Sequence, residues 1–264
     1  MKAWFNGEWI DADAPALGVH DRGFTLGDGL FETMLWNGDA IARVERHAQR
    51  LHDSAAALDL PAPPNAERID AIARELIAAN AIIGAASVRL SFSAGQGARG
   101  LTRPPQLSPI LAFAAAPYQA PQTPANVISS SIPRAAGSLA ARHKTLSYID
   151  NVMARREAEK AGADEALVFN ARDFLAGGAA SNVFAALDGE IRTPPIEDGA
   201  LPGTMRATLL DAFPQIAVRS IPRRDLARAT ALWISNALTG ARRVTRLDAR
   251  ALSDAPFLLD EFKI

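Results

Sequence analysis

The sequence predicts a mixed α/β protein of the α+β kind, arranged as two units. Three observations carry that expectation. Strand-like segments alternate with amphipathic helical ones along the whole chain, turn signals separate them, and one stretch, "PYQAPQTPA" at 117–125, is proline-rich and polar as linkers are. The expected division is a smaller N-terminal α/β domain over 1–116, the linker over 117–125, and a larger C-terminal domain over 126–264.

"KAWFNGEWIDA" reads as a hairpin, with "NG" turning between aromatic-rich strands. "DRGFTLGDGLFETMLWNGDAIA" is glycine-punctuated, then strand-like, with a second "NG" turn at Asn37-Gly38. "RVERHAQRLHDSAAALDL" and "NAERIDAIARELIAANAI" place apolar residues at helical spacing. "ASVRLSFSAG" alternates as a strand, and "SPILAFAAAP" reads as a more buried one. Past the linker come a strand ("NVISSSI"), a segment around Lys144 and a helix ("YIDNVMARREAEKAG"). Short strands follow in "EALVFN", "NVFAALDGEIRTP" and "ALWISN", with helical "GTMRATLLDAF" among them.

Composition narrows the function classes. Apolar residues make up 48% and charged residues 22%, the balance of a globular protein with a sizeable core. A formal net charge of −1 without a basic run gives no footprint for nucleic acid or an anionic membrane. Cysteine is absent, which excludes disulfides, thiolate nucleophiles and cysteine-ligated metals. No stretch approaches the roughly 18 apolar residues of a membrane span, and "MKAWFNGEWIDADA" lacks the apolar core of a signal peptide. A cytoplasmic location is expected. The histidines at 20, 47, 52 and 143 form no ligand pattern, so no metal is expected.

Four features could carry chemistry. The chain has 28 basic residues but only four lysines: Lys2, Lys144, Lys160 and Lys263. Lys144, in "RHKTLSYID", lies between a β-like segment and a helix. It reads as a solvated charge or as a Schiff-base lysine, whose amine must shed water to become nucleophilic. "ALPGTMRATLL" puts Gly203-Thr204 at a helix start, where unpaired N–H groups and the dipole favour a phosphate; ordinary capping is the alternative. "ISNALTG" is a second such turn. In "RVERHAQRL", Arg43, Arg46, His47 and Arg50 share a helix face, which is either solvated or directs an arginine inward for bidentate phosphate binding. "GQGARG" at 95–100 presents Arg99 on a glycine loop, as a carboxylate ligand or merely a turn.

In order and spacing, "FNGEW", "DRGFTLGDGLFET", "RHAQRL", "RHKTLSYIDNVMARREAEKAGADEALVFN", "SNVF" and "TPPIEDGALPGTMR" resemble the class IV, or fold-type IV, pyridoxal-phosphate enzymes over nearly the whole chain. That family includes branched-chain aminotransferases, D-amino-acid aminotransferases and aminodeoxychorismate lyases. The resemblance implies two α/β domains with pyridoxal 5'-phosphate in the interdomain cleft, and a homodimer. It implies that Lys144 forms the Schiff base and moves the proton between substrate and cofactor. Arginine cannot do this, because its guanidinium stays protonated. Arg50 matches the phosphate-gripping arginine. Thr204 and Met205 match the backbone donors of one phosphate loop, and Asn236, Ala237 and Leu238 those of the other. Tyr148 matches a partner of the cofactor's phenolic oxygen, and Ser181 and Asn182 fall in the cofactor-binding "SNVF" motif. Leu26 stands where many members have an aromatic pocket residue, and Arg99 lies in a loop like that of the lyases.

One position departs from the family pattern. "LAGGAASNVF" puts Gly177 where a glutamate normally keeps the pyridine nitrogen protonated. Its absence should weaken stabilisation of the carbanion. The expected activity is transfer of an amino group from an amino acid or amine to a keto acid. The alternatives are elimination of pyruvate from 4-amino-4-deoxychorismate to give 4-aminobenzoate, and a weakly catalytic cofactor-binding protein.

Overall fold

Asn6 and Gly7 both take positive φ, 47° and 102°, as a two-residue hairpin turn with the native twist requires. They fold β1 (Lys2–Phe5) onto β2 (Glu8–Asp11) in a computed structural model that describes residues 1–253 and 259. The end of the expected 126–264 domain, Lys263 included, lies outside the described residues. The chain divides into two compact units. One holds Met1–Ala120 together with Lys144–Ser147; the other holds Pro121–His143 and the chain from Tyr148 onward.

In the first unit, β1 and β2 are followed by a one-turn helix, α1 (Arg22–Leu26), and by β3 (Gly29–Trp36). Two helices come next, α2 (Val44–Ala57) and α3 (Ala66–Ala79), then β4 (Ala86–Ser93) and β5 (Ile110–Pro117). Asn65 caps α3 by accepting the Arg68 N–H, which satisfies one of the donors left open at a helix start. The strands form an antiparallel sheet ordered β2-β1-β5-β4-β3. Alternation decides which face is buried. Leu30, Met34 and Trp36 of β3 and Val88, Leu90 and Phe92 of β4 join Leu51 and Ala55 of α2 and Ile69, Ile72 and Leu76 of α3 in one core.

β3 ends the order, so its outer edge would leave N–H and C=O groups unpaired. The returning Lys144–Ser147 segment covers part of it. The Phe31 N–H donates to the Lys144 carbonyl at 2.9 Å, and the Leu146 N–H donates to the Gly29 carbonyl at 2.9 Å. The contiguous division expected from the sequence is therefore corrected at this point: Lys144 packs with the first unit.

The second unit begins with β6 (Ala125–Arg134), α4 (Leu139–Arg142) and α5 (Ile149–Lys160). There follow β7 (Glu165–Asn170), β8 (Leu175–Gly178), β9 (Asn182–Leu187), β10 (Glu190–Thr193) and α6 (Thr204–Ala212). β11 (Ala217–Val218), β12 (Ala231–Asn236), β13 (Gly240–Leu247) and β14 (Arg250–Ala251) complete it. The sheet runs β11-β10-β9-β12-β13-β6-β7-β8, with β14 on β13. Small residues of α5, Ala154 and Ala158, pack on Ala166, Val168 and Ala176. The strand expected in "NVISSSI" lies within β6, and the short α4 between it and Lys144 was not foreseen; four residues are too few to show a helical period. Among the described residues no helix is long and apolar enough to cross a membrane, and no cluster could hold a metal ion.

Candidate active site

Lys144 owes its place to backbone pairing. Its carbonyl is tied to β3, and its Nζ stands 4.2 Å from the centroid of the Phe31 ring, a cation–π distance. Two glycines let the segment approach. A Cβ on Gly29 would stand 2.7 Å from Leu146 Cδ1, and one on Gly23 would stand 2.9 Å from the same atom. Next to Lys144, Thr145 is buried, and among the described residues its hydroxyl finds no hydrogen-bond partner. A buried hydroxyl left open is uncommon and calls for an explanation such as a bound ligand atom or water.

On the other face of β3, Glu32 lies between Leu30 and Met34 in the inward row, where an acid is costly unless paired. The partners come from α2. Arg50 grips Glu32 as a fork, Nε to Oε1 at 2.8 Å and Nη2 to Oε2 at 2.5 Å, and His47 Nδ1 stands 2.7 Å from Oε2. Burial pushes the Glu32 carboxyl up, but Arg50 and His47 outweigh it and hold the group at about 2. Burial pushes the His47 imidazole down, and Arg50 and Arg43 reinforce that against the pull of Glu32. An ionised Glu32 only accepts, so His47 donates from Nδ1. Arg50 is thus turned inward, and Glu32 takes two of its five N–H donors. Of the other basic residues on this helix, Arg46 is exposed, and Arg43 sits at the N-cap with φ 60°.

Leu26 ends α1 and is exposed, one residue before Gly27, whose carbonyl accepts from Ser147 Oγ at 3.5 Å. It therefore shares the neighbourhood of the Lys144 segment. Arg99 is exposed on the loop after β4.

In the second unit, α6 starts at Thr204 with Gly203 as its N-cap, a residue with no side chain to offer as a cap. A Cβ on Gly203 would overlap Asn182 Oδ1. Asn182 in turn donates from Nδ2 to the Leu201 carbonyl at 2.8 Å, shaping the approach to the helix. Met205 buries its side chain against Phe184 and Trp233, which anchors the first turn. After β12, Asn236 Oδ1 accepts from Leu238 N (3.0 Å), Thr239 N (2.9 Å) and Thr239 Oγ1 (3.0 Å), with Ala237 at the bend. The Leu238 N–H is therefore spent within the loop. Just before it, the buried Ser235 hydroxyl has no partner among the described residues. Tyr148 is the N-cap residue of α5 and is half-buried.

Gly177 lies in β8 opposite Val168. The nearby Glu165 carboxylate is occupied by the N–H groups of Ala166, Ala179 and Ala180 and by Ser181 Oγ, at 2.9 to 3.1 Å. Ser181 therefore spends its hydroxyl on fixing this turn. Sequence reasoning missed Glu32, Phe31 and Thr145. A carboxylate in the inward row of an apolar strand was the available signal for the first; the others depend on a pairing distant in sequence.

In the first unit a lysine amine rests on an aromatic face and an arginine turns inward; in the second a helix starts on a glycine N-cap, and the buried Ser235 hydroxyl has no partner among the described residues. Fold and sequence together define the class, that of the class IV amino-transferases. The chain belongs to the amino-transferase class IV family, whose model it matches over residues 29–247. It is 30% identical to a bifunctional aminodeoxychorismate lyase / D-amino acid transaminase of Mycobacterium tuberculosis, covering 97% of this chain and 94% of that protein. It is 29% identical to a D-alanine aminotransferase of Staphylococcus haemolyticus, over 79% of this chain and 74% of that one. A branched-chain aminotransferase of Thermoproteus uzoniensis, solved with norvaline, superposes with a TM-score of 0.90 at 26% identity, covering 99% of this chain and 91% of that chain.

Proposed function

We propose that the protein is a pyridoxal-phosphate-dependent aminotransferase that moves an amino group from an amino acid or amine to a keto acid. The observation that carries this reading is Lys144, a lone lysine whose amine rests on the Phe31 ring while its backbone is paired to β3. When bound, pyridoxal phosphate supplies a conjugated ring that takes up negative charge from the substrate's Cα. Lys144 would hold its aldehyde carbon, and Nζ would then take and return the proton at Cα. Arg50, the first turn of α6 at Thr204 and Met205, and the Asn236–Leu238 loop would hold the phosphate. Tyr148 would meet the phenolic oxygen, with Ser181 and Asn182 supporting the loops around it. Leu26 and Arg99 would face the substrate, Arg99 toward its carboxylate.

A second reading is elimination of pyruvate from aminodeoxychorismate to give 4-aminobenzoate. Gly177 favours it, because no carboxylate stands at that position and the driving force of aromatisation lessens the need for one. The name of the Mycobacterium relative joins both activities. We take the enzyme to be a cytoplasmic homodimer acting on small molecules. The exposed Leu17, Val19 and Phe24 are of the kind a partner subunit covers.

The test is the absorption spectrum of the protein loaded with pyridoxal phosphate, before and after a panel of amino donors without keto acid. The wild type should keep its visible band through gel filtration and lose it to one class of donor; Lys144→Ala should show neither. A band retained by Lys144→Ala would end the role of that lysine. Release of 4-aminobenzoate from aminodeoxychorismate, with no response to any donor, would select the second reading. A loaded protein inert to all of them would be a cofactor binder without catalysis.

A further inference from the structure

The loop that carries Arg99 is stapled from beneath by ion pairs that neither the fold nor the proposed chemistry explains. Arg22, on α1, is buried, and its guanidinium makes a fan of contacts. Nε donates to Asp28 Oδ2 at 2.8 Å, Nη2 to the Leu101 carbonyl at 2.9 Å, and Nη1 to the carbonyls of Thr102 at 3.3 Å and Gly100 at 3.5 Å. Three consecutive carbonyls are thus turned inward onto one cation. Asp28 also takes a second arginine from the loop's far end: Arg103 donates from Nη2 to Oδ1 at 2.6 Å and from Nε to Oδ2 at 3.1 Å. Arg103 Nη1 reaches on to the Leu58 carbonyl at 2.6 Å, which ties the loop to the end of α2.

The near end is fixed as well. The Arg22 N–H donates to the Gly95 carbonyl at 2.8 Å, and the Gly97 N–H to the His20 carbonyl at 3.1 Å. A Cβ on Gly97 would stand 2.8 Å from Arg22 Cδ, so only glycine lets the arginine stem pass beneath. Surface loops without regular structure are ordinarily the mobile part of a protein. This one is pinned at both ends and along three carbonyls, while Arg99 and Leu101 point outward and remain exposed. A buried ion pair is a poor source of net stability and a good means of fixing one arrangement. What is fixed here is the place of one exposed cation.

We propose that Asp28 is a positioning residue: by joining Arg22 to Arg103 it holds the 96–103 loop so that Arg99 meets the substrate carboxylate in one geometry. This rests on the amino-acid substrate of the proposed function and adds the residue that sets its binding. Asp28 touches neither substrate nor cofactor in this role. Its effect therefore belongs in substrate binding rather than in the chemical step.

The experiment compares loaded wild type, Asp28→Asn, Arg103→Gln, Arg99→Gln and the double variant Asp28→Asn/Arg99→Gln. Hydrogen exchange of residues 96–103 is read beside KM and kcat for the amino donor to which the wild type responds. Asp28→Asn and Arg103→Gln should speed exchange in the loop and raise KM roughly 10-fold, with kcat changed by no more than about 2-fold. Arg99→Gln should raise KM similarly, and the double variant should be no worse than Arg99→Gln alone, because both act through one contact. If Asp28→Asn does not fold, Arg103→Gln carries the test, since it leaves the Arg22–Asp28 pair in place. Faster exchange with KM unchanged, or multiplying effects in the double variant, would overturn the proposal. A wild type that responds to no amino donor would overturn both this and the aminotransferase reading, whereas wild-type turnover with normal KM in Asp28→Asn would overturn the positioning role alone.

Discussion

Glu32 shows how a single buried charge can organise a site. It sits in an apolar row, pinned by an arginine fork and a histidine, and removing it would take this carboxylate away from the buried Arg50 charge. Glu32→Gln keeps the shape and loses the charge, so we expect a loss of about 3 kcal/mol at neutral pH, the lower end for breaking a buried pair. The pH dependence follows from the direction of the shift. The carboxyl is held at about 2, below its ordinary 4.5, so its stabilisation is present above 4.5 and is lost as pH falls from there toward 2. Wild type and Glu32→Gln should therefore differ most in urea midpoint near neutrality and converge only as the pH approaches about 2. A gap that stays constant over that range would show that the charge of Glu32 contributes nothing. The signal for this residue was present in the alternation of "GLFETMLW", where Leu30, Glu32 and Met34 share a face. Reading it required knowing that α2 would supply Arg50 and His47 to that face.

At the scale of elements, the start of α6 is the sharpest case. Most helices place Ser, Thr, Asp or Asn at the N-cap, and this one has Gly203 pressed against Asn182. Asn182 cannot easily swing aside, because its amide is tied to the Leu201 carbonyl. Gly203→Ala should therefore cost about 1–3 kcal/mol as an overpacked contact. It should also weaken cofactor binding, since the first turn would shift. Fluorescence titration with pyridoxal phosphate and a thermal melt would read both effects. Adding Asn182→Ala should relieve the overlap, and a Gly203→Ala variant with unchanged affinity would remove α6 from phosphate binding. Elements with strong local signals were legible. α3 has its Asn65 cap and its period, and the first hairpin has its Asn6-Gly7 turn. β8, "LAGG", and β13, "GARRVTRL", were not, because glycines and arginines hide a strand. In β13 the arginines are used up sideways: Arg242 reaches the Thr123 carbonyl at 2.8 Å and Asp164 at 2.9 Å, and Arg243 lies over the Trp233 ring at 4.8 Å.

At the scale of the whole molecule, the two units are not two lengths of chain. A linear reading assigns everything after the proline-rich stretch to the second, yet Lys144–Ser147 packs with the first. Local pattern cannot show this, because the pairing partner of Lys144 is Phe31, far away in sequence. The consequence is that the first unit lacks part of its own sheet edge unless the chain returns to it. A chain ending at Ala120 keeps all five strands and both long helices but leaves the Gly29–Phe31 edge of β3 without its partner. Edge N–H groups that lose a hydrogen bond exchange through local opening rather than global unfolding. The Phe31 amide, which donates to the Lys144 carbonyl at 2.9 Å, should therefore be protected in the full chain and exchange rapidly in the 1–120 fragment. Val88 and Leu90, on a strand flanked by β3 and β5, should stay protected in both. Loss of protection at all three would mean that the returning segment is needed for the sheet itself. Protection of Phe31 in the fragment would mean that the edge closes without it, and that Lys144 is carried to β3 rather than built into it.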